Sequence, residues 1–255
     1  VPGPHGGMRL RLCHPVRSCG ATPIVYLRGG GWWAGNLDTS SRTMALICNE
    51  TGLPVCGVDY RSTPEHRHPV QIEEVLAATR WLGDHAEELG VGTAGVVFWA
   101  ESAGCTLAVN AAQRLLRELG PRILGMILFY GNFAGPGPAT RPYSRWVWQQ
   151  YLGNAPVEQH SAAVVLRAPV EGLPPAWIGV GDADPLLPDS VQLARRFTGA
   201  SVPCEFVAFP GMPHGFVMMS RFLAPARAAI ASAAAAARRF PGVTSSQTSV
   251  QEKVP

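Results

Sequence analysis

The stretch Val96-Val97-Phe98-Trp99-Ala100-Glu101-Ser102-Ala103-Gly104 decides the reading of this chain. An apolar run enters a serine flanked by small residues, and an amphipathic pattern follows at once. A strand that turns sharply into a helix needs this composition, because bulky side chains two residues either side of the turn would collide with neighbouring backbone. Such a turn presents Ser102 as a nucleophile. The alternative is a serine that merely caps the following helix.

Outward from this segment, short apolar runs alternate with longer stretches whose apolar residues recur every three or four positions. Strands are expected at Ile24–Leu27, Val55–Tyr60, Gly95–Trp99, Ile123–Phe129, Ala176–Val180 and Cys204–Phe209. Helices are expected at Ser40–Thr51, Val70–Leu89, Ala103–Leu119, Ser190–Phe197 and Arg221–Phe240. Alternation of this kind predicts an α/β fold with a mostly parallel, doubly wound sheet. A single domain is expected over residues 1–240, and the Ser, Thr, Gln and Val residues of 241–255 read as a disordered tail. Asn132–Leu173 breaks the pattern, being long and rich in Gly, Pro and aromatics. It reads as a small lid inserted over a site, or else as a surface excursion packing its aromatics on the sheet edge.

A serine needs a base and an orienting carboxylate, and both follow in the order Ser, Asp, His. Gly181-Asp182-Ala183-Asp184-Pro185-Leu186 follows one strand, and Pro210-Gly211-Met212-Pro213-His214-Gly215-Phe216 follows the next. His214 is the candidate base, while Asp182 and Asp184 compete as the acid. Arg28-Gly29-Gly30-Gly31-Trp32-Trp33 follows the first strand. The N–H groups of Gly29 and Gly30, joined by that of Ala103, are candidates for an oxyanion hole. A glycine triplet also suits a flexible turn or a phosphate cradle, although GxxxxGK[ST] is missing.

A chain of 255 residues, 47% hydrophobic and 15% charged, can bury a large core. Its net charge of +3, without a dense basic run, argues against a nucleic-acid partner. No apolar stretch reaches the roughly 18 residues of a membrane span. Six cysteines without CxxC spacing fit reduced thiols in a cytoplasmic protein better than a disulfide framework. Val1 is not a methionine, so a removed leader stays open.

Assembled, these blocks resemble the hormone-sensitive-lipase-like family of α/β-hydrolases, which includes many bacterial esterases. Arg28–Gly35 with Asn36-Leu37-Asp38-Thr39 looks like the family's His-Gly-Gly-Gly block and its sequel. Val58-Asp59-Tyr60-Arg61-Ser62-Thr63-Pro64-Glu65-His66 is similar to its Asp-Tyr-Arg and Pro-Glu-His segment, and Ala100–Gly104 resembles its Gly-Asp-Ser-Ala-Gly turn. Asp184-Pro185-Leu186 and His214-Gly215-Phe216 look like its acid and base motifs, which favours Asp184 over Asp182. The resemblance implies a serine-dependent carboxylic ester hydrolase acting on a small or short-acyl ester, with no metal or organic cofactor. The same triad also serves acyltransferases and cyclising enzymes, and the fold serves non-catalytic ligand-binding homologues. It further implies that Asp59, Arg61 and Glu65 form a polar network fixing a loop. Dimerisation through the last strand and helix occurs among similar proteins, which leaves a homodimer open.

Three departures shape further expectations. Arg28 stands at the family's histidine position, where it braces the loop through carbonyls or meets an anionic substrate group. Glu101 stands where the family often has aspartate, and an ion pair between Glu101 and Arg28 is expected. Only 27 residues precede Arg28, so the N-terminal cap is expected to be truncated, leaving the acyl pocket open or covered by another subunit. Arg28, Trp32, Glu101, Phe133 and Trp146 are the candidate substrate contacts.

Overall fold

A computed structural model describes residues 1–16, 21–137, 141–154 and 157–244. Among the described residues seven strands form one sheet in the order β1-β3-β2-β4-β5-β6-β7: β1 (Leu10–Cys13), β2 (Ile24–Leu27), β3 (Val55–Val58), β4 (Val96–Glu101), β5 (Ile123–Phe129), β6 (Ala176–Gly181) and β7 (Cys204–Phe209). All neighbours run parallel except β1, which lies antiparallel on β3 with Leu10 opposite Val58. β2 to β6 are buried along nearly their whole length, which is why they read as continuous apolar runs. β1 escaped the sequence reading because Arg11 interrupts four half-buried residues at the sheet's edge.

The described residues hold six α-helices: α1 (Leu37–Thr51), α2 (Val70–Asp84), α3 (Ala103–Arg117), α4 (Pro142–Leu152), α5 (Leu187–Gly199) and α6 (Ala224–Arg239). α1 and α6 cover one face of the sheet, while α2, α3 and α5 cover the other. α1 starts earlier than its apolar pattern suggests, because Asn36 accepts from the N–H groups of Asp38 and Thr39 and Thr39 reciprocates. α2 stops five residues before the expected Leu89, just past Gly83 and Asp84, which are weak helix formers. α6 opens with Pro225 in its first turn, where a missing N–H costs nothing.

Residues 132–173, expected as an inserted lid or a surface excursion, contain α4 and two short 3₁₀ segments, Val157–Ala163 and Val165–Arg167. α4 has Pro142 at its start and buries Val147, Trp148, Tyr151 and Leu152 at helical spacing. Trp148 and Tyr151 pack on Trp32, whose ring stacks on Tyr151 at 4.1 Å with planes 10° apart. Residues 245–255, most of the expected disordered tail, lie outside the described residues. Thr244 at its start is held by backbone and side-chain hydrogen bonds to Thr22.

The polar segment after β3 is wired differently from expectation. Asp59 pairs with Arg9 at 2.9 Å. Arg61 pairs with the buried Glu74 of α2, whose other oxygen accepts from the Arg61 N–H at 2.7 Å. Glu65 is exposed and makes no ion pair among the described residues. The buried carboxylate was hidden in the apolar pattern of α2.

α3 is buried except at Arg114, Leu116 and Arg117, and its first turn crosses the end of β2 closely. A Cβ on Gly104 would stand well inside contact distance of the Leu27 carbonyl oxygen and 2.6 Å from that of Arg28. These are backbone atoms that cannot swing aside. Gly104→Ala, usually favourable inside a helix, is therefore expected to cost about 1–3 kcal/mol or more. Urea unfolding followed by circular dichroism checks this, and an unchanged midpoint would contradict the close approach.

Candidate active site

Every residue of the expected chemistry sits at the carboxyl ends of the parallel strands, where this sheet class keeps its crevice. β4 ends at Glu101, and Ser102 turns the chain into α3 with φ 50° and ψ −118°. Few non-glycine residues adopt that conformation, and it is held by surrounding structure. The Ser102 N–H donates to the Phe129 carbonyl at 2.9 Å, and its carbonyl accepts from the Cys105 N–H at 3.0 Å. Ala100, two residues before the serine, is fully buried and pairs in register with Leu27 and Leu128, so its methyl fits where glycine is common.

His214 Nε2 lies 2.9 Å from Ser102 Oγ, and His214 Nδ1 lies 2.9 Å from Asp184 Oδ2. Asp184 is inaccessible to solvent, and its Oδ1 accepts from the Leu186 N–H at 2.7 Å. Asp182 serves the site indirectly, since its Oδ1 accepts from the Gly211 N–H at 2.7 Å and so fixes the histidine loop. That loop meets β6 tightly, because a Cβ on Gly181 would lie 2.5 Å from the Met212 carbonyl carbon. Arranged in series, hydroxyl, imidazole and buried carboxylate can pass a proton away from Ser102 Oγ.

A cavity of about 600 Å³ opens on Ser102. Gly29, Gly30 and Gly31 form part of its wall, and Ala103 opens α3, so its N–H has no intrahelical acceptor. Tyr143, Val147, Leu186, Met218 and Met219 supply the apolar part of the wall. Among the described residues no group of three His, Cys, Asp or Glu could hold a metal ion.

The expected ion pair between Arg28 and Glu101 does not form. Arg28 is buried and its guanidinium is engaged by other groups. It donates to the Ala34 carbonyl at 2.6 Å, the Tyr60 carbonyl at 3.1 Å and Ser62 Oγ at 3.1 Å, with its guanidinium over the Tyr60 ring at 4.1 Å. The loop-bracing alternative is the one this geometry supports. Glu101 instead accepts from the Tyr26 hydroxyl at 3.0 Å and the Tyr130 hydroxyl at 2.9 Å. Of the five expected substrate contacts only Glu101 is on the cavity wall. Arg28, Trp32 and Phe133 are buried behind it, and Trp146 stands on the exposed rim beside Trp33.

Tyr130 was missed. It follows β5 at the same sheet edge, carries φ 41°, and sets its ring edgewise to His214 with centroids 5.0 Å apart. Its place directly after an apolar strand was the available signal. Cys105 is fully buried, donates to the Phe129 carbonyl, and burial pushes its thiol well up, so it is packing and not a second nucleophile.

Residues 24–218 match the family described as alpha/beta hydrolase fold. The chain belongs to this family. An acetyl esterase of Salmonella paratyphi B is 31% identical over 239 residues, spanning 88% of this chain and 73% of that protein. An esterase structure from the archaeon Pyrobaculum calidifontis overlays with a TM-score of 0.88 at 26% identity, covering 93% of this chain and 81% of that one. The thermophilic carboxylesterase EstE1, cloned from a metagenomic library, gives a TM-score of 0.87 at 29% identity over 93% and 86% of the two chains. This α/β-hydrolase therefore shares the hormone-sensitive-lipase-like character that its sequence blocks suggested. No helix among the described residues is long and apolar enough to cross a membrane.

Burial is the chief reason the Glu101 carboxyl is pushed above its ordinary 4.5, with the hydroxyls of Tyr130 and Tyr26 opposing. The native carboxyl thus holds its proton more tightly than the unfolded one. Wild-type stability falls as pH rises from 4.5 through the native value. Glu101→Gln removes this dependence, so its stability relative to wild type is expected to increase between about pH 4 and about pH 7. Urea unfolding of both proteins across that range measures it; a constant difference would mean that the carboxyl is not perturbed.

Proposed function

We propose that this chain is a serine-dependent carboxylic ester hydrolase working through an acyl-enzyme. The observation that carries the reading is the series Ser102–His214–Asp184, with both links at 2.9 Å, facing a cavity whose wall includes the glycine loop. His214 removes the Ser102 proton as Oγ attacks the ester carbonyl. Asp184 holds the imidazole through Nδ1 and balances the charge it acquires. The N–H groups of Gly29, Gly30 and Ala103 receive the oxyanion. His214 then protonates the leaving alcohol, and water, activated by the same imidazole, releases the acid.

The acetyl esterase relative supports a short acyl group, and the cavity's volume suits a small ester. Tyr143 and Val147 of α4 form part of the cavity wall, which supports reading residues 132–173 as a lid. The described cysteines are free, in keeping with the reducing cytoplasm. Arg28 acts by holding the Gly29–Gly31 loop in its oxyanion-binding shape, not by touching substrate.

Hydrolysis of p-nitrophenyl acetate and butyrate is expected for the wild type. Ser102→Ala should reduce kcat by at least about a thousandfold. Diethyl p-nitrophenyl phosphate should add one diethylphosphoryl group, located on Ser102 by peptide mass spectrometry. Ester turnover unaffected by Ser102→Ala would refute the assignment. Arg28→Met leaves the carbonyls of Ala34 and Tyr60 without their donor, so kcat should fall by about ten- to a hundredfold with KM little changed. An unaltered kcat would remove Arg28 from the support of the loop.

A further inference from the structure

The cavity that opens on Ser102 is larger than a short acyl group needs. An acetyl group fills a small part of its volume of about 600 Å³, which matches a ligand of drug size. With a short acyl group, the remaining room belongs to the alcohol half of the ester. His214 must protonate that alcohol as it leaves, and Gly215, Met218 and Met219, which follow it in the chain, continue the wall from there.

Among the described residues this wall holds no lysine or arginine; its titratable acid, Glu101, already accepts two tyrosine hydroxyls. An anionic group would enter without a counter-charge, which is costly away from water. At the mouth, Trp33, Tyr143 and Trp146 stand exposed yet hold one another in place. The Trp33 indole donates to the Tyr143 hydroxyl at 3.4 Å, the Trp33 and Trp146 rings meet edgewise at 5.6 Å, and Tyr143 stacks on Trp146 at 6.1 Å. Tyr143 shares the wall with Met218 and Met219, so aromatic and thioether groups offer a preformed surface to a ring.

One polar group on the α4 side of the wall lacks a partner. Asn132 is 8% exposed and lines the cavity. Its Oδ1 accepts from the Trp148 indole at 2.9 Å and its carbonyl accepts from Thr106 Oγ1, which fixes the residue. Its Nδ2 makes no hydrogen bond among the described residues, and it is not one of the unpartnered atoms sealed from solvent. A donor held in that way is answered when a ligand brings an acceptor.

A wall without cations, an aromatic mouth and an oriented amide donor define one ligand. We infer that the substrate is a short-acyl ester of an uncharged aromatic alcohol bearing a further oxygen acceptor, its ring against Tyr143 and the methionines and its acceptor on Asn132 Nδ2. The inference rests on the esterase reading and adds a substrate class to it. Asn132 selects substrate and touches no reacting atom.

The test is steady-state kinetics on benzyl acetates carrying acetyl, isopropyl or carboxylate at ring position 3 or 4, three substituents of like shape that differ in acceptor and charge. In the better-placed isomer the acetyl compound should exceed the isopropyl compound about tenfold in kcat/KM, and the carboxylate should fall at least about tenfold below the acetyl compound. Asn132→Asp keeps the acceptor for Trp148 and removes the donor, so the acetyl-to-isopropyl ratio should fall towards one. Tyr143→Leu should lower the preference for benzyl over cyclohexylmethyl acetate about threefold. In wild-type protein the Asn132 side-chain amide resonance should move on adding 4-acetylbenzyl or 3-acetylbenzyl alcohol and stay in place with the isopropyl alcohols, a measurement that needs no variant to fold. Equal kcat/KM for the three substituents, or a preference for the carboxylate, would overturn the substrate class. An acetyl preference that survives Asn132→Asp, or an amide resonance indifferent to the acetyl alcohols, would overturn the role of Asn132. A wild type that turns over p-nitrophenyl acetate but fails these comparisons sinks this inference alone, whereas one that hydrolyses no ester sinks the esterase reading and this inference with it.

Discussion

The turn at Ser102 depends on backbone meeting backbone where β4 enters α3. Its left-handed φ is unfavourable in isolation and persists because its neighbours leave no other course. Phe129 takes its N–H, and Gly104 lets α3 lie on the carbonyls of Leu27 and Arg28. That crossing also sets the distance between the serine and the glycine loop, since the loop continues directly from β2. One close approach therefore fixes Ser102 and the glycine loop together. A second, between Gly181 and Met212, seats the histidine loop on β6, with Asp182 tying it at Gly211. The relay is the outcome of two places where strands and loops touch without side chains between them.

Charge is managed under the site by neutral partners. Arg28 and Glu101 are both buried, yet each spends its hydrogen bonds on uncharged groups. Pairing them would take two desolvated ions and demand a geometry the loop does not offer. Carbonyls of Ala34 and Tyr60 answer the guanidinium, and two tyrosine hydroxyls answer the carboxyl. The tyrosines do more than solvate. Tyr130 reaches down to Glu101 with its hydroxyl while its ring borders His214, so the buried carboxyl and the imidazole share one neighbour.

The sheet was legible because β2 to β6 are buried on both faces, and burial writes itself as unbroken apolar sequence. Ser102 and Asp184 were legible because each follows such a run within a few residues, and His214 because it follows the edge strand β7 in a segment marked by Gly and Pro. What stayed hidden has physical causes. β1 is half exposed and carries arginine; α4 is masked by the glycines and prolines around it; Glu74 sits inside a helix that otherwise reads as apolar. The direction of Arg28 could not be read at all. A side chain that long reaches several partners, and the choice between a carboxylate and three oxygens is made by tertiary packing, not by spacing.

The two sides of the Ser102 cavity are built on different principles. On one side stand the ends of β2, β4, β5 and β6, where register, tight crossings and buried hydrogen bonds leave little freedom. On the other stand Tyr143, Val147, Met218 and Met219, contributed by α4 and by the segment after His214. Several of the exposed large apolar residues gather there, with Met218 and Met219 on the wall and Trp33 and Trp146 beside Tyr143. Methionine and edge-on aromatics adapt their shape at little cost, whereas a strand end cannot. Proton transfer needs atoms held within a few tenths of an ångström, and accommodating an acyl chain does not. The rigid wall thus belongs to the sheet and the compliant wall to segments beyond it, so that side of the cavity can be reshaped by substitution there without disturbing the spacing of Ser102, His214 and Asp184.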